Sequence, residues 1–541
     1  MSRVVVPSFL RLIRAIRAAR AGGPSALERL EQAAVARRDR GPSRRAVVAG
    51  LGALAACRPS EPLPTPTPSS TGLTGEPRVV VLGAGLAGLA CVHQLALAGV
   101  RAELYEARDR VGGRVITGRG VFPSLPAATI ELGAEWVNSA DAALLGLVDA
   151  LGLTLHDSWD EFDLETLIWL DGRRVSLRSL APELARITAA CDAGLAGLTD
   201  HGAAISYANP SGAEALDRMS AADWLDAVDA SADARALVGL VALADYGREL
   251  DDQSALNVLS LFETGADDTY DERYLIAGGN DQVATGLAAL YADRLHLGAE
   301  LVALTGIAGP TDAPTGWSLS FADGTEERAD IVVCTLPFTV LRGIPLDAAL
   351  SPVKRACLDT LGYGTNAKLV VPYGRRFWRD AGDSGLAITE AFQEGWDATM
   401  VQGLDAGAFA TFRGGDAGLA VGAGSTADRG QELVATLDVL WPGSAALVSG
   451  DAIRATWADD PWVGGSYSCY RVGQWTGIGG AEGEPVGTLL FAGEHTSYVF
   501  QGYMNGAAQS GVDAAADVLA LRSGTRRRRP PPRAGRRRAR S

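Results

Sequence analysis

The chain has 541 residues, of which 47% are apolar, and is long enough for two domains with sizeable cores. Its formal net charge of −15 is unevenly distributed: residues 1–45 carry +8, residues 522–541 carry +10, and the remainder therefore carries −33. An acidic body lacks the basic surface with which proteins bind nucleic acid, so nucleic-acid partners are not expected.

The first 57 residues have the pattern of an export signal. Arg44-Arg45 precedes an apolar run ending at Ala56, which is too short to span a bilayer but suits a signal sequence. The arginine pair resembles a twin-arginine signal, and residues 54–57 resemble a lipobox that would place a lipid on Cys57. Residues 9–20 predict a basic amphipathic helix at the inner membrane face. The alternative is a fortuitous arginine pair before an alanine-rich helix.

Two polar segments flank the folded body. Residues 58–77 are rich in Pro, Ser and Thr, as expected of an extended tether. Residues 522–541 are arginine-rich and predict a disordered tail, either simply solvated or bound to an anionic lipid or polymer. Together these features predict a bacterial protein exported to the periplasm or cell envelope, with Cys57 as a possible membrane tether.

The stretch 78–114 predicts a dinucleotide-binding βαβ unit. Val79–Leu82 is typical of a buried parallel strand, and residues 89–98 have helical spacing. Glu106 ends the next predicted strand, where an acid can bind ribose hydroxyls. The turn between the first strand and the helix has three glycines at GxGxxG spacing, suited to a tight turn, a nearby pyrophosphate and close helix packing: Gly83, Gly85 and Gly88.

The residues that follow indicate which dinucleotide is bound. Residues 110–114, RVGGR, resemble an extension found in FAD enzymes of the flavin amine oxidase family, which NAD domains do not usually carry. The resemblance implies cofactor contacts from Arg108, Gly113 and Arg114. Residues 128–137 are similar to the family's strand and turn at the isoalloxazine edge, which implies flavin-facing positions for Ala134, Glu135 and Trp136.

The middle of the chain predicts a discontinuous architecture. Residues 151–268 have mostly helical patterns, and strands are predicted at 296–307, 317–321 and 329–337. The resemblance implies an adenine contact at Leu301. The predicted fold is α/β: a Rossmann-like FAD-binding domain (residues 78–150, 269–349 and 456–521) interleaved with a mixed α+β, monoamine oxidase-like substrate domain (residues 151–268 and 350–455).

The C-terminal motif is the most specific one in the chain. Residues 489–497, LLFAGEHTS, and 501–507, QGYMNGA, closely resemble the ending of flavin amine oxidases. In that family Glu494 would hold the ribityl chain and Met504 would lie at the flavin. A helix starting near Tyr503 would direct its positive end toward the reduced ring.

Four residues are predicted to act in catalysis. Only two of the 49 basic residues are lysines, and one of them, Lys368, lies on an apolar predicted strand where an unpaired charge is costly. The family's matching lysine holds a water near flavin N5; the alternative is a solvent-facing lysine at a strand edge. Trp457, Tyr467 and Tyr503 match an aromatic cage in which two tyrosines flank the substrate amine, and the alternative is core packing.

The resemblance implies an FAD-dependent amine oxidase that converts a primary or secondary amine to an imine and reduces O2 to H2O2. The alternatives are an L-amino acid oxidase, a desaturase-like or protoporphyrinogen oxidase-like enzyme, and a flavin-binding protein without turnover. Non-covalent FAD is expected because Ser466 stands where cysteinyl-flavin members carry cysteine.

Two further positions bear on the substrate. Trp136 stands where L-amino acid oxidases carry a carboxylate-binding arginine, and Asn138 where plant polyamine oxidases carry an acid. The sequence therefore predicts an aryl or alkyl monoamine.

The cysteines and histidines show no metal-binding pattern. No CxxC pair occurs and the five histidines lack metal-ligand spacing, so no metal is expected. Buried free thiols are the default expectation for the cysteines, with a disulfide left open.

Overall fold

A computed structural model describes residues 76–264, 269–308 and 314–524, together with Ile13 and Ile16. The arginine pair, Cys57, most of the linker and the tail from residue 525 lie outside the described residues. Ile13 and Ile16, from the predicted amphipathic helix, are helical and buried in the larger hydrophobic core. No helix of the described ranges is long and apolar enough to cross a membrane. The five described cysteines are buried free thiols.

The cofactor-side core is a parallel sheet of short strands. In spatial order it contains β20 (Leu489–Phe491), β13 (Ile331–Cys334), β1 (Val79–Leu82), β2 (Ala102–Tyr105) and β9 (Leu295–His296). The central strands β1 and β13 and the edge strand β20 are fully buried. Continuous apolar runs suit strands covered by helices on both sides. Around the sheet lie α1 (Leu86–Leu97), α8 (Asp281–Leu290) and the C-terminal α15 (Met504–Arg522).

Glycine allows α15 to pack closely along α1. A Cβ at Gly511 would lie 2.1 Å from the carbonyl oxygen of Ala87, which is far inside van der Waals contact. The last helix of the chain is thereby held against the first helix of the dinucleotide unit.

The second large element is a mixed seven-stranded sheet. Its spatial order is β19 (Ile453–Thr456), β15 (Ala367–Tyr373), β18 (Gly407–Arg413), β17 (Gln393–Asp397), β16 (Asp383–Thr389), β6 (Glu165–Leu170) and β7 (Arg173–Arg174). Neighbouring strands are antiparallel except β16 and β6. The predicted fold class, a Rossmann-like unit interleaved with a mixed substrate unit, is confirmed.

Helices flank this sheet. α6 (Ala232–Tyr246) packs against β17, and α12 (Gly415–Gly422) and α13 (Thr426–Leu440) pack against β15. Three more helices join α6 in a cluster: α3 (Leu177–Ala196), α5 (Ala221–Ala227) and α7 (Ala255–Thr264).

Smaller sheets and helices complete the described fold. A four-stranded sheet contains β12 (Glu326–Ala329), β11 (Gly316–Phe321), β10 (Leu301–Ile307) and β14 (Leu346–Asp347). Two ribbons pair β3 (Thr117–Arg119) with β4 (Thr129–Glu131), and β5 (Leu155–Asp157) with β8 (Tyr274–Ile276). The short helices are α2 (Ala142–Ala150), α4 (Glu214–Asp217), α9 (Phe338–Leu341), α10 (Pro352–Thr360), α11 (Phe377–Asp380) and α14 (Gln474–Gly477).

Two details differ from the sequence prediction. The strand predicted over 296–307 is divided, because the chain turns at Gly298, whose φ is 72°, between β9 and β10. The region 151–268, predicted as mostly helical, also contains β5, β6 and β7. β6 pairs with β16, more than 200 residues later in the sequence. Local periodicity cannot indicate a partner so far away, so the sequence does not predict this strand.

Candidate active site

A cavity with about 1060 Å³ of empty space is lined by the glycine turn after β1 and by residues at the N-terminus of α15. Its walls contain most of the predicted cofactor residues: Gly83, Gly85, Glu106, Arg108, Gly113, Arg114, Leu301, Glu494 and Met504. Tyr503 also lines it. Gly88, Ala134, Glu135, Trp136, Lys368, Tyr467 and Trp457 are not part of this wall.

A different structural feature requires or favours glycine at each of the three positions in the turn after β1. Gly83 has a φ of 95°, a conformation that L side chains rarely adopt. A Cβ at Gly88 would lie 1.9 Å from the Gly83 carbonyl oxygen, so Gly88 allows α1 to start close to β1. A Cβ at Gly85 would meet no atom within 4 Å. The open space in front of Gly85, at a helix N-terminus, is where a pyrophosphate fits.

Glu106, the acid that directly follows β2, lies at the cavity wall. One oxygen of Glu106 accepts a hydrogen bond from the Ala84 backbone N–H at 2.8 Å, and the other accepts one from the Arg108 N–H at 3.0 Å. These bonds fix the carboxylate beside the glycine turn. The Arg108 side chain is ion-paired with Asp460, a partner that no motif indicated.

A buried ion pair joins the two ends of the family motif. Arg114 Nη1 donates to Glu494 Oε1 at 2.9 Å and to the carbonyl oxygen of Ser466. Glu494 also accepts from the Ser468 hydroxyl at 2.8 Å and from the Gly502 N–H at 2.9 Å. Burial would raise the pKa of Glu494, but the Arg114 charge and these hydrogen bonds lower it to about 2.

The same ion pair brings the segments of the two predicted cage tyrosines together. Tyr467 lies between Ser466 and Ser468, which bond Arg114 and Glu494 respectively. Tyr503 follows Gly502, whose N–H bonds Glu494, and caps α15 at the cavity. The Tyr467 hydroxyl donates to the Ala244 carbonyl oxygen at 3.0 Å, which fixes its ring against α6.

Lys368 is buried and paired. It lies on β15, and its Nζ donates to Glu135 Oε2 at 2.6 Å and to the carbonyl oxygens of Glu131 and Gly133 at 2.8 and 2.9 Å. The other Glu135 oxygen accepts from Trp396 Nε1 at 2.9 Å. The solvent-facing alternative for Lys368 is wrong, because its side chain is only 1% exposed. The Glu135 side chain, predicted only as flavin-facing, is the counter-charge of the lysine.

Glu131 and Asn280 hold the segment around Ala134 and Glu135 in place. Asn280 Nδ2 donates to the carbonyl oxygens of Ala134 and Glu135 at 3.0 and 2.6 Å, and the Asn280 N–H donates to Glu131 Oε1 at 2.8 Å. Burial, opposed by the Asn280 bond and reinforced by the nearby Glu135 charge, raises the pKa of Glu131 to about 8. Sequence reasoning missed Asn280, although it directly follows a Gly-Gly pair at the start of α8.

The other residues singled out in the sequence are also buried: Trp136, Trp457, Ser466 and Cys469. Trp136 packs against Trp396, with ring centroids 6.5 Å apart. Trp457 is buried, and its indole N–H has no hydrogen-bond partner among the described residues. The Ser466 hydroxyl bonds Asn366 Oδ1 at 2.7 Å. Cys469 accepts from Asn257 Nδ2 on α7, so this thiol is held on the side of the helix cluster, as expected of a cysteine that forms no flavin bond.

Several other residues that line the cavity were not identified from the sequence. Thr335, Leu336 and Pro337 follow the carboxyl end of β13, the neighbour of β1, and Trp462 and Val463 approach from the C-terminal segment. The first three had a usable signal, since ligands of parallel sheets bind beyond the carboxyl ends of adjacent strands. The glycine turn, with open space in front of Gly85, and the Arg114–Glu494 pair in the same cavity wall together fit a dinucleotide such as FAD.

The model of one protein family, the flavin-containing amine oxidoreductases, matches residues 86–519. The chain belongs to this family. It is 28% identical over 468 residues to AofH of Mycobacterium tuberculosis, named as a flavin-containing monoamine oxidase, covering 82% of this chain and 96% of that protein. It is 27% identical over 469 residues to putrescine oxidase of Kocuria rosea, covering 82% and 95%.

Solved structures agree with the sequence relatives. An engineered putrescine oxidase, redesigned at its cofactor site, superposes with a TM-score of 0.71 at 25% identity, covering 82% of this chain and 99% of that one. The chain is therefore an FAD-dependent amine oxidase, which oxidises an amine to an imine while O2 is reduced to H2O2. The prediction of family, cofactor and reaction is confirmed.

Proposed function

We propose that the chain oxidises amines without an α-carboxylate, using Lys368, Trp457, Tyr467 and Tyr503 at the reacting end of the FAD cavity. The observation that carries this proposal is the convergence of both tyrosine-bearing segments on the Arg114–Glu494 pair. FAD, when bound, accepts the hydride equivalent and passes electrons to O2. The protein supplies orientation, electrostatics and exclusion of water.

The two tyrosines, the helix N-terminus and the lysine have separate tasks in this proposal. The faces of Tyr467 and Tyr503 orient the amine, and their apolar surroundings favour its neutral, reactive form. The N-terminus of α15 stabilises negative charge on the reduced cofactor. Lys368 places its positive charge against the turn that carries Gly133 and Glu135, the segment expected at the flavin edge, and Glu135 keeps its ammonium in place at 2.6 Å.

The preference against carboxylates has two supports. Trp136, buried against Trp396, occupies the position of a carboxylate-binding arginine. The buried lysine is already paired with Glu135 and is not free to bind a substrate carboxylate. An unpaired carboxylate in this pocket loses several kcal/mol of binding, on the order of the cost of burying an unpaired charge.

Steady-state peroxide release tests this preference. Phenethylamine should be oxidised with a higher kcat/KM than phenylalanine, and isoamylamine with a higher kcat/KM than leucine. A reversed order in both pairs would refute the proposal and favour an L-amino acid oxidase. If neither class of substrate bleaches the bound flavin anaerobically, the protein binds flavin without turnover.

We also propose that the FAD is non-covalent. Ser466 replaces the cysteine of cysteinyl-flavin members, and Cys469 contacts Asn257 on α7. Acid precipitation should release all of the yellow colour into the supernatant. Flavin that stays in the protein pellet would contradict this.

We propose export of the folded, FAD-loaded protein through the twin-arginine pattern at Arg44-Arg45, with Cys57 as a lipid anchor. Support comes from the sequence alone: the arginine pair, the short apolar run and the polar tether. Replacing both arginines by lysine should retain the enzyme in the cytoplasmic fraction. Replacing Cys57 by Ser should release it from the membrane fraction, and an unchanged distribution in both variants would refute export by this route.

A further inference from the structure

Tyr270, which no sequence motif indicates, touches one of the two proposed cage tyrosines. Its ring and the Tyr503 ring are nearly perpendicular, with centroids 6.3 Å apart and planes at 75°. The Tyr270 ring is also stacked on the Phe500 ring, at 5.4 Å and 19°. Tyr503 is 7% exposed and lines the cofactor cavity, whereas the other two rings are half-buried. Aromatic contacts therefore reach from the cavity wall to the surface of the protein.

The chain on both sides of Tyr270 is bonded to residues 137–140, which directly follow the predicted flavin-facing segment. The Thr269 carbonyl oxygen accepts a backbone N–H from residues 137–140 at 3.0 Å. The carboxylate of Asp271, 3% exposed, accepts from the Ser139 N–H at 2.8 Å and from the Ser139 hydroxyl at 2.6 Å. Both neighbours of Tyr270 are thus anchored, and the position of its ring does not depend on Tyr503.

Asn138 contributes one more bond to this anchor. Its Oδ1 accepts the Glu272 N–H at 2.8 Å. In this structure Asn138 therefore has a structural role in holding the segment that carries Tyr270.

The hydroxyl of Tyr270 connects this segment to the loop before α15. It donates to the Val499 carbonyl oxygen at 3.4 Å, one residue before Phe500. The Tyr503 N–H in turn donates to the Phe500 carbonyl oxygen at 3.1 Å. Tyr270 thus joins the segment that follows Trp136 to the turn that carries Tyr503.

A ring in an aromatic cage orients a substrate only if its own plane is fixed. The backbone of Tyr503 is held at the N-terminus of α15, but its ring can still turn about its side-chain torsions. An edge-to-face partner favours one ring orientation over another by a factor of about two to ten. Because a bound amine reacts only from a well-aligned geometry, a change in the orientation of this ring alters the rate of reaction.

We propose that Tyr270 is a positioning residue for amine oxidation: it fixes the plane of the Tyr503 ring and thereby the orientation in which the amine is held before the flavin. This inference rests on the proposed function. Tyr270 acts through Tyr503 and need not touch the substrate. Its ring is required, whereas its hydroxyl, whose bond to Val499 is long, contributes little.

The test compares Tyr270→Ala with Tyr270→Phe, which keeps the ring and loses the hydroxyl, on purified holoenzymes with phenethylamine. In anaerobic stopped flow, Tyr270→Ala should lower the limiting rate of flavin reduction by about tenfold and change the apparent Kd of phenethylamine by less than about threefold. Tyr270→Phe should stay within about twofold of wild type in both quantities.

Tyr291→Ala is the matched control. Tyr291 is another half-buried tyrosine, with a ring contact at 5.9 Å and a hydroxyl bond at 2.8 Å, both to His93, and it is not part of the cavity wall. Its replacement should leave the limiting rate of flavin reduction unchanged.

A second readout needs no substrate. The visible circular dichroism of bound FAD depends on the placement of the rings that line its cavity, and Tyr503 is one of them. Tyr270→Ala should shift this spectrum toward that of Tyr503→Ala. Tyr270→Phe and Tyr291→Ala should keep the wild-type spectrum.

The outcomes separate the role of Tyr270 from the underlying activity. A wild-type reduction rate and a wild-type spectrum in Tyr270→Ala would overturn the inference. A smaller amplitude of bleaching at an unchanged rate would also overturn it, since Tyr270 would then only determine the fraction of active holoenzyme. If Tyr270→Ala does not retain FAD, Tyr270→Leu takes its place, and loss of FAD in that variant too would identify a purely structural residue. If neither phenethylamine nor isoamylamine bleaches the wild type, the proposed function fails, and the substrate-free spectra alone decide whether Tyr270 positions Tyr503.

Discussion

Removing Lys368 should affect stability as well as catalysis, because its ammonium is the counter-charge of a buried acid. Lys368→Met leaves the Glu135 side chain, 4% exposed, with the Trp396 N–H as its one partner among the described residues. Breaking a buried ion pair on one side costs about 3–5 kcal/mol. The two carbonyl hydrogen bonds of the ammonium, at 2.8 and 2.9 Å, add about 1 kcal/mol each.

A double-mutant cycle isolates the charge effect. Lys368→Met combined with Glu135→Gln removes both charges and should recover about 3–5 kcal/mol of the loss, leaving about 2 kcal/mol for the two carbonyl bonds. Urea unfolding of the four holoenzymes, followed by tryptophan fluorescence and flavin release, measures the cycle. Flavin reduction in stopped flow should stay slow in both lysine variants, since neutralising Glu135 restores stability but not the ammonium.

Lys354, the only other lysine in the chain, supplies the matched control. Its buried ammonium donates to two backbone carbonyls, those of Ala481 and Glu482. Lys354→Met should destabilise the protein without any rescue by Glu135→Gln. Strict additivity in the Lys368 and Glu135 cycle would refute the coupling, and wild-type rates in both half-reactions of Lys368→Met would show that this lysine is not catalytic.

Two other predictions concern the cofactor cavity. Gly88→Ala should abolish FAD binding and soluble folding, since its Cβ meets the Gly83 oxygen at 1.9 Å, whereas Gly85→Ala should fold and only weaken FAD binding; equal behaviour of the two purified variants would contradict this. The pKa of Glu494 is lowered from 4.5 to about 2, so its charge stabilises the fold above about pH 4.5 and this contribution is lost as pH falls toward 2. The advantage of wild type over Glu494→Gln in unfolding free energy should shrink over that range, and a constant difference would refute the assignment.

The parts of the site that the sequence predicts are those whose signal is local. The glycine turn and Glu106 follow from spacing within short segments, the helix start near Tyr503 follows from the resemblance of residues 501–507 to the family's ending, and the structure places all three at one cavity. The partners of Lys368 could not be predicted in this way. Glu135 lies 233 residues before it, and no periodicity links a turn residue to a strand residue across that distance.

Strand register explains a second omission, the burial of Glu394 on β17. Glu394 looks like an ordinary surface acid in the sequence, because Trp396 is the one large apolar residue among the five of β17. All five residues of β17 are buried, since α6 covers the face that carries Glu394. Only the pairing of β17 with β18 aligns this acid with Phe412 and Lys368.

The charged centre is assembled from chain segments that are far apart, and this links cofactor binding to folding. Arg114 and Glu494 are 380 residues apart, and each lies at the FAD cavity wall. Closing so long a loop is entropically costly, and a buried pair repays its desolvation only if its remaining hydrogen bonds are made. Ser468 and Gly502 supply those bonds to Glu494. A ligand that binds only the assembled cavity stabilises both segments by mass action. FAD should therefore raise the unfolding midpoint of the protein by more than its contacts with the βαβ unit alone would.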